Sequence, residues 1–205
     1  NGESLPHPHR VAGKIKAYID FILLNNFRSK QSTRRESQTS VQKWSPPPEG
    51  SVLINVDAAI FSQSSRMGVG IVIRSHLGLV LASKRRYVDQ VVNPQLAEAI
   101  AMRCALEFAE EAGFQRIVVA TDCATLVSKV TSAAMDRSQT SVIVFDIKSR
   151  ASKFVSCLFT HVSRSCNMAA HVLAKSWEHD LGSCWFDEVP EIIRNIVCNE
   201  QSLFA

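Results

Sequence analysis

The chain has 205 residues, 46% of them hydrophobic and 20% charged, with a net charge of +4. That size suits one ordinary domain with a full core plus an extension. The longest apolar run, Phe21-Ile-Leu-Leu24, is far too short to cross a membrane. Six scattered cysteines without a C-x-x-C pair exclude zinc spacing and a secreted disulfide framework, and point to reduced thiols in an intracellular protein.

Residues 1–49 carry eight basic and four acidic side chains, which accounts for the whole excess of charge. The chain is therefore expected to divide into a basic N-terminal arm, residues 1–43, and a neutral domain with a C-terminal tail, residues 44–205. Val11, Ile15, Ile22 and Leu23 give residues 11–25 a rough apolar stripe, so a helix is expected there. Residues 26–43 are polar and read as a linker. The arm either attracts nucleic acid electrostatically or is a solvated linker. Trp44-Ser-Pro-Pro-Pro48 marks the domain boundary as a stiff, extended lead-in.

Val52-Leu-Ile-Asn-Val-Asp-Ala-Ala59 is β-branched and apolar on both faces, which suits a strand buried on both sides. Asp57 interrupts it. A buried carboxylate needs a donor, a cation or a metal, unless Asp57 only starts a turn. Strands are expected at Val69–Arg74 and Leu79–Arg85, with short turns that make an antiparallel meander. The polar turn Phe61-Ser-Gln-Ser-Ser-Arg66 is placed to face a ligand. A helix is expected from Gln95 to Ala112, introduced by Pro94 and ended by Gly113. Glu98 lies in its expected first turn, where the helix dipole alone would favour an acid. Ile117-Val-Val-Ala-Thr-Asp122 reads as a buried strand whose terminal Asp122 is either an N-cap or a ligand-binding group. Helices at 124–133 and 140–152, a strand at 154–162, a helix at 167–179, a tail around Trp185 and a short helix at 192–197 complete the reading. Strand–helix alternation after a meander predicts a mixed α/β domain.

Asp57, Glu98 and Asp122 are thus expected to meet at one edge of the sheet. Clustered carboxylates repel. Mg²⁺ prefers oxygen ligands and takes further ones from phosphate, and two such ions about 3.5–4 Å apart can activate water and stabilise a leaving oxygen.

The motifs Trp44-Ser-Pro-Pro-Pro-Glu-Gly50, Ile54-Asn-Val-Asp-Ala-Ala59, Gly68-Val-Gly-Ile-Val-Ile-Arg74, Ala97-Glu-Ala-Ile-Ala-Met-Arg-Cys-Ala-Leu106, Thr121-Asp122, His161-Val-Ser-Arg164 and Asn167-Met-Ala-Ala-His-Val-Leu-Ala-Lys175 follow one another in order. Together they resemble the plant ribonuclease H-like family, the reverse-transcriptase-derived type-1 RNase H domains of non-LTR retroelements and domesticated plant proteins. The resemblance covers about three quarters of the chain, residues 44–197. It implies an RNase H-like fold, a mixed five-stranded sheet flanked by helices. It also implies metal-dependent cleavage of the RNA strand of an RNA–DNA hybrid, with Mg²⁺ or Mn²⁺, two ions, as cofactor. On that analogy Asp57, Glu98 and Asp122 are the metal ligands, and the fourth acidic position falls on His171. Imidazole suits softer metals better than Mg²⁺ and can move protons; the alternative is a histidine on the helix surface. Arg164 matches a His or Arg that helps product or metal leave, and its guanidinium can contact phosphate. Ser64, in the polar turn, and Gln95, at the helix start, join Arg164 as candidate nucleic-acid contacts.

Two departures bear on function. Ala58 replaces the usual glycine after Asp57, which puts a methyl group where the backbone approaches the RNA strand. Ser62–Arg66 replaces a Gly-rich turn, and no basic Trp-rich protrusion follows Asp122. The leading expectation is a hybrid endoribonuclease. The alternative is a catalytically weak or inactive module that keeps the fold for nucleic-acid binding or protein interaction. The sequence fixes no oligomeric state.

Overall fold

The computed structural model describes residues 43–91, 93–134, 138–176 and 182–202. The expected helix at 11–25 and the rest of the arm up to residue 42 lie outside the described residues, as does the end of the helix expected at 167–179. The elements run β1 (Val52–Phe61), β2 (Arg66–Arg74), β3 (Val80–Asp89), α1 (Pro94–Glu111), β4 (Arg116–Thr121), α2 (Ala124–Thr131), α3 (Ser141–Ala151), β5 (Ser156–His161), a 3₁₀ turn (Arg164–Cys166), α4 (Met168–Lys175), β6 (Gly182–Phe186) and α5 (Glu191–Gln201). The mixed α/β architecture flanked by helices is as the sequence implies.

The sheet has six strands, in the order β5-β4-β1-β2-β3-β6, rather than five. The extra strand is β6, which pairs antiparallel with β3 in a stretch read from sequence as tail. Five residues carry too little alternation to declare a strand, and only the free edge of β3 makes them one. The meander β1-β2-β3 is antiparallel, whereas β4 runs parallel to both β1 and β5.

The central strand β1 sorts its side chains with the period of two that a strand imposes. Ile54 and Val56 join the larger core beneath α1, α2 and α3. Asn55 and Asp57 turn to the opposite face, where both bond to the segment carrying α4. A second core of Val72, Val80, Ala169, Leu173, Ile193 and Val197 lies between that face and helices α4 and α5. Glycine makes this packing close. A Cβ on Gly70 would lie 2.2 Å from the carbonyl oxygen of Ala170 and 2.5 Å from the nitrogen of Ala174, and one on Gly68 would lie 2.1 Å from the oxygen of Ala174. The backbone of α4 therefore rests directly on β2. The tail helix α5 is fastened by a buried ion pair between Arg74 and Glu200, with Trp44 stacked 4.4 Å from the Arg74 guanidinium carbon. No helix among the described residues is long and apolar enough to cross a membrane.

Candidate active site

Parallel pairing brings two of the acids side by side. Asn55 on β1 is in register with Ala120 on β4, so Asp57 and Asp122 each lie two residues further along neighbouring strands. Asp122 does not cap α2; Thr121 Oγ1 accepts from the Cys123 amide instead, at 3.2 Å. Helix α1 delivers the third acid. Asn93 caps it by accepting from the Leu96 amide at 3.1 Å, and Pro94 occupies its first position. This start is earlier than the sequence suggests. Glu98 consequently lies beyond a first turn that contains no acid, which removes the helix-dipole account of it. Ligand oxygens of Asp57, Glu98 and Asp122 all lie within 4.8 Å of one another.

His171 is not a surface histidine. It is buried, and its Nδ1 lies 2.6 Å from Asp57 Oδ2. Gly70 explains the reach, because it is the β2 partner of Asp57 and the point where α4 settles onto the sheet. Arg164, on the 3₁₀ turn, closes the group. Its Nη1 lies 3.4 Å from Asp122 Oδ2, and its Nη2 lies 2.9 Å and 3.0 Å from the two ring nitrogens of His171.

A buried amide network fixes this arrangement, and the sequence reading missed it. Trp44 Nε1 donates to Asn55 Oδ1 at 3.1 Å. Asn55 Nδ2 donates to the Cys166 carbonyl at 3.2 Å and to Asn167 Oδ1 at 3.1 Å, and Asn167 Nδ2 donates to the Val56 carbonyl at 3.0 Å. Asn167 thus ties the start of α4 to the strand residue preceding Asp57. The available signal was Asn55, an amide inside a strand otherwise apolar on both faces, since a buried amide must find partners.

Ser64 and Gln95 are exposed and line two separate depressions. Ser64 shares one with Phe61, Ser62 and Gln63, and Gln95 shares the other with Cys123, Thr125 and Lys129. The structure brings Asp57, Glu98, Asp122, His171 and Arg164 together, and leaves these two at the periphery.

The electrostatics show what the acids lack. Burial, followed by the charges of Asp57 and Asp122, pushes Glu98 up to about 8, with Arg164 opposing. Burial raises Asp57 to about 6 against the stabilising bond from His171. A divalent cation among these oxygens would offset both shifts by favouring the ionised forms, and an all-carboxylate set suits a hard ion. The site therefore fits a divalent metal centre, with His171 orienting a ligand through its hydrogen bond.

Residues 55–177 match the family described as Reverse transcriptase-like. Among solved structures, RNase H1 from the halophilic archaeon Halobacterium salinarum is 25% identical, with a TM-score of 0.56, covering 60% of this chain and 94% of that one. The N-terminal RNase H domain of a Mycobacterium tuberculosis protein, solved fused to maltose binding protein, is 21% identical, with a TM-score of 0.54, over 60% and 90% of the two chains. LC11-RNase H1, isolated from compost and solved in complex with RNA/DNA hybrid, is 22% identical, with a TM-score of 0.53, over 60% and 92%. A comparison with curated proteins found no match.

Proposed function

The chain belongs to the reverse transcriptase-like family, and from that membership we propose that it is a metal-dependent endoribonuclease of RNase H type that cuts the RNA strand of RNA–DNA hybrids. The observation that carries the reading is the convergence of Asp57, Glu98 and Asp122, from the middle of β1, helix α1 and the end of β4, within 4.8 Å. Folding alone gives no reason to gather three carboxylates, because their mutual repulsion opposes it.

Asp57, Glu98 and Asp122 hold Mg²⁺ or Mn²⁺. When bound, the metal supplies activation of water and neutralisation of charge on the phosphate. His171 holds the Asp57 carboxylate in one orientation. Arg164 is exposed enough to reach a phosphate oxygen, and its permanent charge favours the dianionic character of the reacting group. Water attacks phosphorus and the bond to the 3′-oxygen breaks, leaving 5′-phosphate and 3′-hydroxyl ends. Ser64 and Gln95 extend the contact surface, and the basic arm adds salt-sensitive attraction to the backbone. The 2′-hydroxyl distinguishes the strand to be cut.

A second reading, hybrid binding without cleavage, is favoured by one observation: a histidine stands at the fourth acidic position, in contact with a guanidinium. Cleavage of a labelled hybrid with Mg²⁺ or Mn²⁺ decides between them. Cleavage by wild type that is lost in Asp57→Asn is the expected result. Binding without cleavage by a folded wild type would establish the second reading.

A further inference from the structure

The sheet ends at β6, and its outer edge is unguarded. In an antiparallel ladder, bonded and non-bonded residue pairs alternate. The Asp187 amide donates to the Leu81 carbonyl at 2.9 Å, just past the end of β6. The bonded pairs within the ladder are therefore Trp185 with Ser83 and Ser183 with Arg85. Gly182, Cys184 and Phe186 fall between them, so their amides and carbonyls point away from β3. Among the described residues, no further strand receives these groups. Natural sheets guard such an edge with charge, proline or a bulge. The five residues of β6 include no charge and no proline, and their register with β3 is unbroken. Cys184 and Phe186 also share one face of the strand. Cys184 is exposed, and Phe186 is 60% exposed although its ring centroid lies 5.8 Å from that of the buried Phe108. The opposite edge differs, because β5 carries no exposed large apolar side chain.

We propose that β6 pairs with β6 of a second copy of this chain, antiparallel about a two-fold axis at Cys184, which joins the two sheets into one. The strand is complementary to itself in that register. Cys184 meets Cys184, and Phe186 of each copy lies opposite Gly182 of the other, with outward amides and carbonyls matched along the whole strand. Glycine leaves room above the strand for the arriving ring, and an aromatic side chain across from an edge glycine supplies the contact that the glycine lacks. The paired residues carry no charge, so two copies meet without like-charge repulsion. Strands β2 and β3 separate the joined edge from Asp57 on β1, so the acid cluster lies away from the pairing.

The test is the mass of the full-length, reduced chain in solution, measured by light scattering over a dilution series. A two-chain mass is expected for wild type at the concentrated end. It is expected to halve in Phe186→Lys, which puts a charge on the edge, and in Cys184→Pro, which removes an outward amide and no bond to β3. Circular dichroism reports whether each variant is folded. If neither folds, cross-linking decides. In a Cys198→Ser chain, which lacks the other exposed cysteine, a short bismaleimide is expected to join Cys184 of one copy to Cys184 of the other. A one-chain mass at every concentration would overturn the proposal and leave the edge to a strand of another protein. A dimer that survives in a folded variant, or one that gives no Cys184 cross-link, would overturn it as well.

Discussion

At Glu98 the folded chain keeps a proton that the unfolded chain has already lost at neutral pH. The carboxyl rises from 4.5 to about 8 in the metal-free fold. Between those values the folded state binds more protons than the unfolded state, so stability falls as pH rises. Asp57 acts in the same direction between 3.8 and about 6. In chelator, the urea-denaturation free energy is expected to drop by about 1–3 kcal/mol from pH 5 to pH 8, a fraction of what ~1.4 kcal/mol per pKa unit gives over the shifts of Glu98 and Asp57. Saturating Mg²⁺ should flatten that slope, because it stabilises the ionised acids, and Glu98→Gln should remove most of it. A metal-free profile with no such decline would contradict the crowded, buried site. His171→Asp supplies a fourth carboxylate at the cost of the bond that orients Asp57, and is expected to raise Mg²⁺-dependent hybrid cleavage several-fold over wild type; an unchanged or lower initial rate would show that the lost orienting bond outweighs the added ligand.

Helix α4 works as an element because two different devices hold it. Gly68 and Gly70 let its backbone lie on β2, and Asn167 pins its first turn to β1. Gly70→Ala drives a methyl into the backbone of Ala170 and Ala174, which cannot give way as a flexible side chain would. The expected cost is about 1–3 kcal/mol in chemical denaturation, with a larger proportional loss of hybrid cleavage because α4 carries His171 away from Asp57. Asn167→Ala leaves the Val56 carbonyl and an Asn55 donor short of a buried partner, and should cost about 1–3 kcal/mol in the same assay. Wild-type stability in either variant would mean that α4 is held elsewhere. The six-stranded sheet teaches the same lesson about β6: its sequence is ambiguous, and its strand character comes from the edge it covers.

Over the whole domain, the C-terminal segment is part of the structure, though it lies beyond the residues that match the family. Its helix α5 closes the second core and brings Glu200 to Arg74, both buried. Burial raises the Glu200 carboxyl and lowers Arg74 despite their mutual attraction, so desolvation outweighs the pairing. Such a pair is costly to break and cheap to replace. Glu200→Ala, which strands the guanidinium, is expected to destabilise the chain by about 3–5 kcal/mol. The double change Arg74→Met, Glu200→Leu is expected to recover most of that loss in the same urea titration. A double variant as unstable as the single one would show that the ion pair itself, rather than the filling of its volume, secures α5.

The sequence by itself determined the alternation of strands and helices, the central buried strand, and the identity of the three acids. These are carried by local patterns: β-branched runs, an Ala- and Glu-rich helix, and polar residues interrupting apolar stretches. It also named His171 and Arg164 through an ordered series of motifs. It did not show that β6 is a strand, that Glu98 lies past the first turn, that Asn55 and Asn167 form one network, or that His171 is buried against Asp57. The place of Glu98 is set locally by the Asn93 cap; the others depend on partners more than a hundred residues away or on the free edge of another strand. Only the tertiary structure decides them, because parallel register sets Asp57 beside Asp122, and the absence of two Cβ atoms on β2 sets how closely α4 can approach.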